Sequence, residues 1–354
     1  MSANGVDQRP FGALPDGRGV AEVVLRSPSG LQASILTRGA AIRQVLLPSP
    51  GGRAVDVTLG YPTLEGYLAD RNYLGVIVGR VANRIRGARF TLDGTPHALD
   101  PNDGAHCLHG GGTGFHQALW AIADLNDGPE PSVTLRHASP DGEGGFPGTL
   151  ACTATYTLRG TDLVVDIGGE SDRPTLFNPA SHAYWNLAGG GTALGHEVQV
   201  HADAYVPVDQ DTLPAGPPRP VAGTPFDFRT PRRLAQALAD TTDPQVRLAG
   251  GFDHDWALAT GERAEPALAA RLEDPVSGRA LELLTTRPAL HLYSGHMLAS
   301  PLPGHPLQPG DGIALEAQMF SDAPNRPETG SIRLDPGRPH RSTTIFRFHP
   351  GARG

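Results

Sequence analysis

Two side chains set far apart in the chain, His182 and Glu316, are of the types from which general acid–base chemistry is built. Glu316 lies in Gly312-Ile-Ala-Leu-Glu-Ala-Gln-Met-Phe, a carboxylate within an otherwise apolar strand pattern. Partial desolvation there would raise its proton affinity toward neutrality. His182 lies in Phe177-Asn-Pro-Ala-Ser-His-Ala-Tyr-Trp-Asn, among aromatic and amide side chains that include Tyr184. That setting suits a titratable group beside a ring-shaped ligand. Taken singly, the histidine reads as a hydrogen-bonded core residue, whereas the apolar neighbours of the glutamate weigh against reading it as a solvent-facing strand residue.

A third stretch, Gly79 to Trp120, sets Asn83, Arg84 and His109 among glycines, in Gly-Arg-Val-Ala-Asn-Arg-Ile-Arg (Gly79 to Arg86) and in Leu108-His-Gly-Gly-Gly. Glycine lets backbone approach a ligand closely, and Asn, Arg and His supply directional hydrogen bonds to hydroxyl-rich molecules. A glycine-rich turn with ordinary surface arginines would look the same in isolation. A fourth stretch, Gly250-Gly-Phe-Asp-His-Asp-Trp, has the composition of a metal cluster. Alternate strand residues point to opposite faces, however, and no oxygen-rich loop completes a shell, so no metal is expected. A carboxylate of this stretch reads better as an acceptor for hydroxyl groups.

The elements that position these residues are strands. The 354 residues include 45 glycines and 34 prolines, which break helices repeatedly yet stay below the roughly 25–30% of disordered chains. Ala21–Arg26, Leu31–Arg38 and Ala41–Pro48 read as a meander. Phe90 marks a short β-like run, and residues 56–75 read as loops. Period-two alternation returns at Ser132–Arg136, Thr149–Leu158 and Leu163–Ile167, the last two forming a hairpin through Arg159-Gly-Thr-Asp. Thr230-Pro231 predicts a helix through about Ala239, the one helix the pattern supports. No repeat or composition break divides residues 1–354, so a single domain is expected.

A net charge of −8 without a basic run argues against nucleic acid. Two cysteines, Cys107 and Cys152, build no disulfide framework and read as reduced thiols of a cytoplasmic protein. The N-terminal ten residues hold no apolar export segment, and no 18 apolar residues run together, so no membrane insertion is expected.

Gly79-Arg-Val-Ala-Asn-Arg-Ile, followed by Leu108-His-Gly-Gly, Gly114-Phe and Trp120, resembles the aldose 1-epimerase (galactose mutarotase) family. The His182, Asp253 and Glu316 segments continue the resemblance in order, from about Phe11 to about Phe348. It implies an all-β fold, a large β-sandwich with one or few short helices, and a site in a cleft on its concave face. It also implies interconversion of the α and β anomers of a free aldose without a cofactor. Glu316 would be the base and His182, as imidazolium, the acid, exchanging roles on ring closure. Two such groups supply on the order of 10²–10⁴-fold each. His109 and Arg84 would stabilise charge near the ring oxygen or anomeric centre, and Asn83, Asp253 and Tyr184 would hold hydroxyls. His291, where relatives carry glutamine, would donate to a hydroxyl and bears on which sugar is preferred.

Two other classes share some of these features. A non-catalytic carbohydrate-binding protein needs the aromatic and amide contacts but not both Glu316 and His182. A glycoside hydrolase needs two carboxylates flanking the bond, for which Asp253 and Glu316 are the available pair. Arg80, Arg84 and Arg86 keep a pentose or hexose phosphate open as substrate, and a sandwich edge allows a monomer or a homodimer.

Overall fold

In the computed structural model, which describes residues 5–49, 52–259 and 261–351, strands make up 43% of the chain and helices 9%. The expected meander is present and begins earlier than its sequence pattern. Gly5–Ala13 pairs with Gly19–Arg26, followed by Gln32–Leu36, Ile42–Leu47 and Val55–Asp56, in a five-stranded antiparallel sheet. A nine-stranded antiparallel sheet contains Ser132–Ser139, Leu150–Arg159 and Asp162–Ser171, with the Arg159-Gly-Thr-Asp hairpin as expected. His340–His349 joins these strands to Ala280–Thr285 and Ala267–Glu273 in the same sheet.

A six-stranded sheet carries the site. Its order is Tyr184–Trp185, Ile313–Gln318, Ala289–Tyr293, Asp253–Leu258, Ala202–Tyr205 and Arg219–Pro220, all antiparallel. Alternation divides its side chains. Leu290, Leu292, Leu315 and Trp256 join a buried apolar cluster shared with Val23 and Ile35 of the first sheet and Leu135, Tyr156 and Phe346 of the second. The intervening residues, Asp253, Asp255, His291 and Glu316, take the other face, which is also buried. Burial on both faces explains why Ile313–Gln318 reads as an apolar run with one carboxylate in it.

Helices depart from expectation. In place of Thr230–Ala239, Arg232–Arg233 forms a short strand against Glu197–Val198, and the helix is only Leu234–Leu238. The Leu234 and Ala235 amides bond to the His196 and Leu194 carbonyls, so sheet pairing claims the groups of the expected first turn. Nor is it the only helix. Leu64–Ala69 lies within residues read as loops, and Pro244–Ala249 is capped by Asp243, whose carboxylate accepts from the Gln245 and Val246 amides.

Candidate active site

All eight residues singled out from the sequence line one cleft of about 240 Å³: Asn83, Arg84, His109, His182, Tyr184, Asp253, His291 and Glu316. Each is buried. Pockets for drug-sized ligands run roughly 300–1,000 Å³, so this one fits a single small ring.

The glycine-rich stretch holds its donors by backbone geometry. Asn83 (φ 60°) and His109 (φ 53°) both occupy the left-handed region, which non-glycine residues seldom enter unless their surroundings hold them there. They hold each other. The His109 amide donates to the Asn83 carbonyl at 3.1 Å, and the Asn83 amide donates to His109 Nδ1 at 3.2 Å. Gly110 follows at φ 85°, where a Cβ would lie 1.9 Å from the Gly79 carbonyl oxygen. Only glycine fits that approach.

The Asn83 amide also decides the chemistry of His109. Because Nδ1 accepts, Nε2 carries the hydrogen of the neutral ring. Burial, reinforced by His182, keeps His109 well below the usual histidine range, so the ring stays neutral. His109, His182 and Glu316 place one potential ligand atom each within 4.8 Å of one another, the spacing of a metal site. A metal needs a lone pair from each imidazole. That of His109 is committed to a backbone amide, and the residue instead presents an N–H donor to the cleft.

His182 is held by backbone bonds to the segment just before the glycine-rich stretch, its amide donating to Val76 and its carbonyl accepting from Gly75. Its ring lies among those of Tyr73, His109 and Tyr184, with centroids 5.8, 5.1 and 5.0 Å away. Tyr184–Trp185 pairs with Ile313–Gln318, and across that junction His182 Nε2 stands 3.5 Å from Glu316 Oε1. These two side chains, 134 positions apart in numbering, come together in the cleft. Among the described residues, neither His182 Nδ1 nor Glu316 Oε2 has a hydrogen-bond partner.

Burial acts on the two partners in opposite directions. It pushes the Glu316 carboxyl up to about 8, aided by the charges of Asp253 and Asp255 and opposed by those of His291 and Arg84. It pushes His182 down to about 3. Near neutrality these shifts leave the pair one proton and favour Glu316 as its holder, whereas the sequence reading starts it on His182.

Around the pair, Asp253 Oδ1 accepts from His291 at 2.8 Å, and Arg84 Nη1 is 3.8 Å from Asp253 Oδ2. Arg84 Nε donates to Asp103 at 2.7 Å. His291 engages Asp253 with Nε2 and Asp255 with Nδ1, both at 2.8 Å, so both ring nitrogens are occupied. The other two arginines of the Gly79–Arg86 segment lie elsewhere. Arg80 is buried against Ser139, Pro140 and Pro147, and Arg86 pairs with Asp209.

Residues 21–347 match the family model described as aldose 1-epimerase. This chain belongs to the aldose 1-epimerase family. It is 40% identical to the galactose mutarotase of Rattus norvegicus over 350 residues, 97% of this chain and 98% of that one. It is 34% identical to the aldose 1-epimerase of Escherichia coli K12, over 94% of this chain and 96% of the relative. The crystal structure of galactose 1-epimerase from Lactobacillus acidophilus NCFM superposes with a TM-score of 0.85 at 31% identity, covering 98% of this chain and 99% of that one. The family is one of isomerases, and its fold is the large β-sandwich expected from the sequence.

Several cleft residues of this epimerase were not singled out from the sequence. Tyr73 and Tyr293 lie among the lining side chains, with Asn72, Arg71, Leu108 and Met297. Tyr73 falls in a segment read as loop, and Met297 carried no signal. Asp255 had one. It lies two residues from Asp253, which puts both on one face of a strand.

Proposed function

We propose that this chain interconverts the α and β anomers of a free aldose, glucose or galactose, with His182 and Glu316 moving protons to and from the two oxygens of the anomeric carbon. The contact between the two groups carries this reading. Two buried titratable side chains, 3.5 Å apart and each with a polar atom unpartnered among the described residues, cost stability and are retained where chemistry needs them.

For ring opening, Glu316 as carboxylate takes the proton from the C1 hydroxyl, and His182 as imidazolium gives one to the ring oxygen. The C1–O5 bond breaks and the aldehyde forms. The C1–C2 bond then turns and the ring closes with the roles reversed. This starting arrangement differs from the resting one only by a proton moved from Glu316 to His182. The charges of His291 and Arg84 favour the Glu316 carboxylate, and the charge of Asp253 favours the His182 imidazolium. Both arrangements hold one proton and follow the same pH dependence. The His109 Nε2–H is the donor for charge developing on an anomeric oxygen. Asn83, Arg84, Tyr184 and Asp253 hold hydroxyls.

A free sugar fits better than a sugar phosphate, because Arg80 and Arg86 are engaged away from the cleft and Arg84 is matched by two carboxylates. That leaves the exposed Arg71 as the remaining arginine of the lining. A hydrolase would need Asp253 to serve as acid or nucleophile. Its hydrogen bond from His291, with the charges of His291 and Arg84, overcomes burial and holds it far below the usual carboxylate range, which removes it as an acid. The engagement of Oδ1 by His291 and Oδ2 by Arg84 weighs against it as a nucleophile. One chain supplies the whole cleft, so we assign function to a single domain acting as a monomer or homodimer. Its two buried, free cysteines suit a reducing cytoplasm.

Polarimetry on freshly dissolved α-D-glucose and α-D-galactose tests the reading. The protein should speed the approach to equilibrium rotation and Glu316→Gln should not. A binding protein would leave the rate unchanged, a hydrolase would act only on glycosides, and exclusive action on a hexose 6-phosphate would refute the free-sugar assignment.

A further inference from the structure

Three side chains occupy one row across adjacent strands of the site sheet. Asp255 is the cross-strand partner of His291, and His291 is the partner of Glu316. Asp253 lies two residues along the first of these strands, on the same face. The His291 ring is flanked by Asp255 Oδ1 at Nδ1 and Asp253 Oδ1 at Nε2, each at 2.8 Å, and all three side chains are nearly inaccessible to solvent. Ionised carboxylate oxygens only accept, so both ring nitrogens carry hydrogen and the ring is an imidazolium. Asp255 is fixed from behind by the Ser321 amide at 2.7 Å.

We propose that His291 is a positioning residue: clamped between Asp253 and Asp255, it orients the Asp253 carboxylate toward the sugar and places a fixed positive charge beside Glu316. It acts on proton transfer through these neighbours instead of donating to a hydroxyl, since neither nitrogen is free. The role rests on the acid–base reading of Glu316 and His182.

The groups around His291 fix the sign of its effect. Asp253 and Asp255 face it from one flanking strand and Glu316 and Gln318 from the other, Asn83, Arg84 and His109 from the glycine-rich stretch, and His182 from the strand junction. Burial alone would discharge the ring, but the hydrogen bonds and charges of the two aspartates override it and hold His291 up to about 10. The positive ring lowers the proton affinity of both Glu316 and His182. Removing it leaves two aspartates balanced only by Arg84, and both partners then bind protons more tightly.

The test is His291→Gln, followed by polarimetry across pH and by NMR of the histidine rings in both proteins. Gln keeps one N–H donor group, cannot bridge both aspartates, and removes the charge. The kcat/KM profile should move to higher pH by about one unit, the scale of one charge a few ångströms away at protein-like dielectric. KM should rise about tenfold as Asp253 loses its clamp. In the unsubstituted protein, one histidine should remain imidazolium at pH 9, and its signal should be missing in the variant. A folded variant with an unshifted profile would overturn the proposal. So would spectra of the unsubstituted protein in which every ring is neutral at pH 9, a result that stands even if the variant does not fold. The NMR reading is independent of catalysis, so failure of the clamp is distinguishable from failure of the Glu316–His182 assignment.

Discussion

Asp253 and Glu316 are carboxylates in the same cleft, on one face of one sheet, and both are almost fully buried. They end at opposite ends of the proton scale. Asp253 accepts from His291, lies near Arg84 and is held far below the usual carboxylate range. Glu316 faces a neutral histidine, has one oxygen without a protein partner and is pushed up to about 8. Burial alone raises both, so partners and not depth decide. One half of the cleft is a satisfied, charged network suited to holding a ligand still. The other is an unsatisfied, nearly neutral pair suited to exchanging a proton, and each does what the other would do badly.

If that division holds, substitutions in the two halves should fail differently. The largest effect belongs to the pair. Glu316→Gln and His182→Asn should each lower kcat by roughly 10²–10⁴-fold, and the double variant by no more than the worse single one, because the two act as a unit. Full additivity in polarimetric rates would break the pairing. His109→Phe removes the N–H donor and should cost roughly 10–10³-fold in kcat with little change in KM. Asp253→Asn should act mainly on KM, raising it roughly tenfold to a hundredfold; a kcat loss matching that of Glu316→Gln would erase the distinction between the halves.

The smallest effect is on stability and has the opposite sign. The Glu316 pKa is raised on folding, so the unfolded chain loses its proton first, and the native protein loses stability as pH climbs from about 4.5 to about 8. Glu316→Gln removes that penalty. At pH 8 it should raise Tm by roughly 2–8 °C while abolishing turnover. Calorimetry showing a lower Tm would mean that Glu316 is structurally satisfied after all.

The site was more legible in the sequence than the helices were. Polar side chains inside apolar or glycine-rich stretches stand out because burying them is costly, and all eight such residues line the cleft. Strand periodicity was equally readable, as the Leu150–Arg159 and Asp162–Ser171 hairpin illustrates. Short helices fixed by tertiary contacts were not. Leu64–Ala69 contains Gly66, a poor helix former, and packs that glycine against Tyr61, where a Cβ would lie 2.4 Å from the ring. Asp243-Pro244 is itself a readable start signal for Pro244–Ala249, an N-cap aspartate followed by a first-turn proline. The pairing of His291 with two aspartates was hidden for another reason: it depends on the register between strands 36 positions apart, which local pattern does not encode.

The pH dependence of kcat/KM for mutarotation of α-D-galactose, followed by polarimetry, tests the shared proton most directly. One proton held jointly by Glu316 and His182 predicts a rate that is level through neutrality and falls tenfold per pH unit above about 8. A rate unchanged to pH 10 would contradict it.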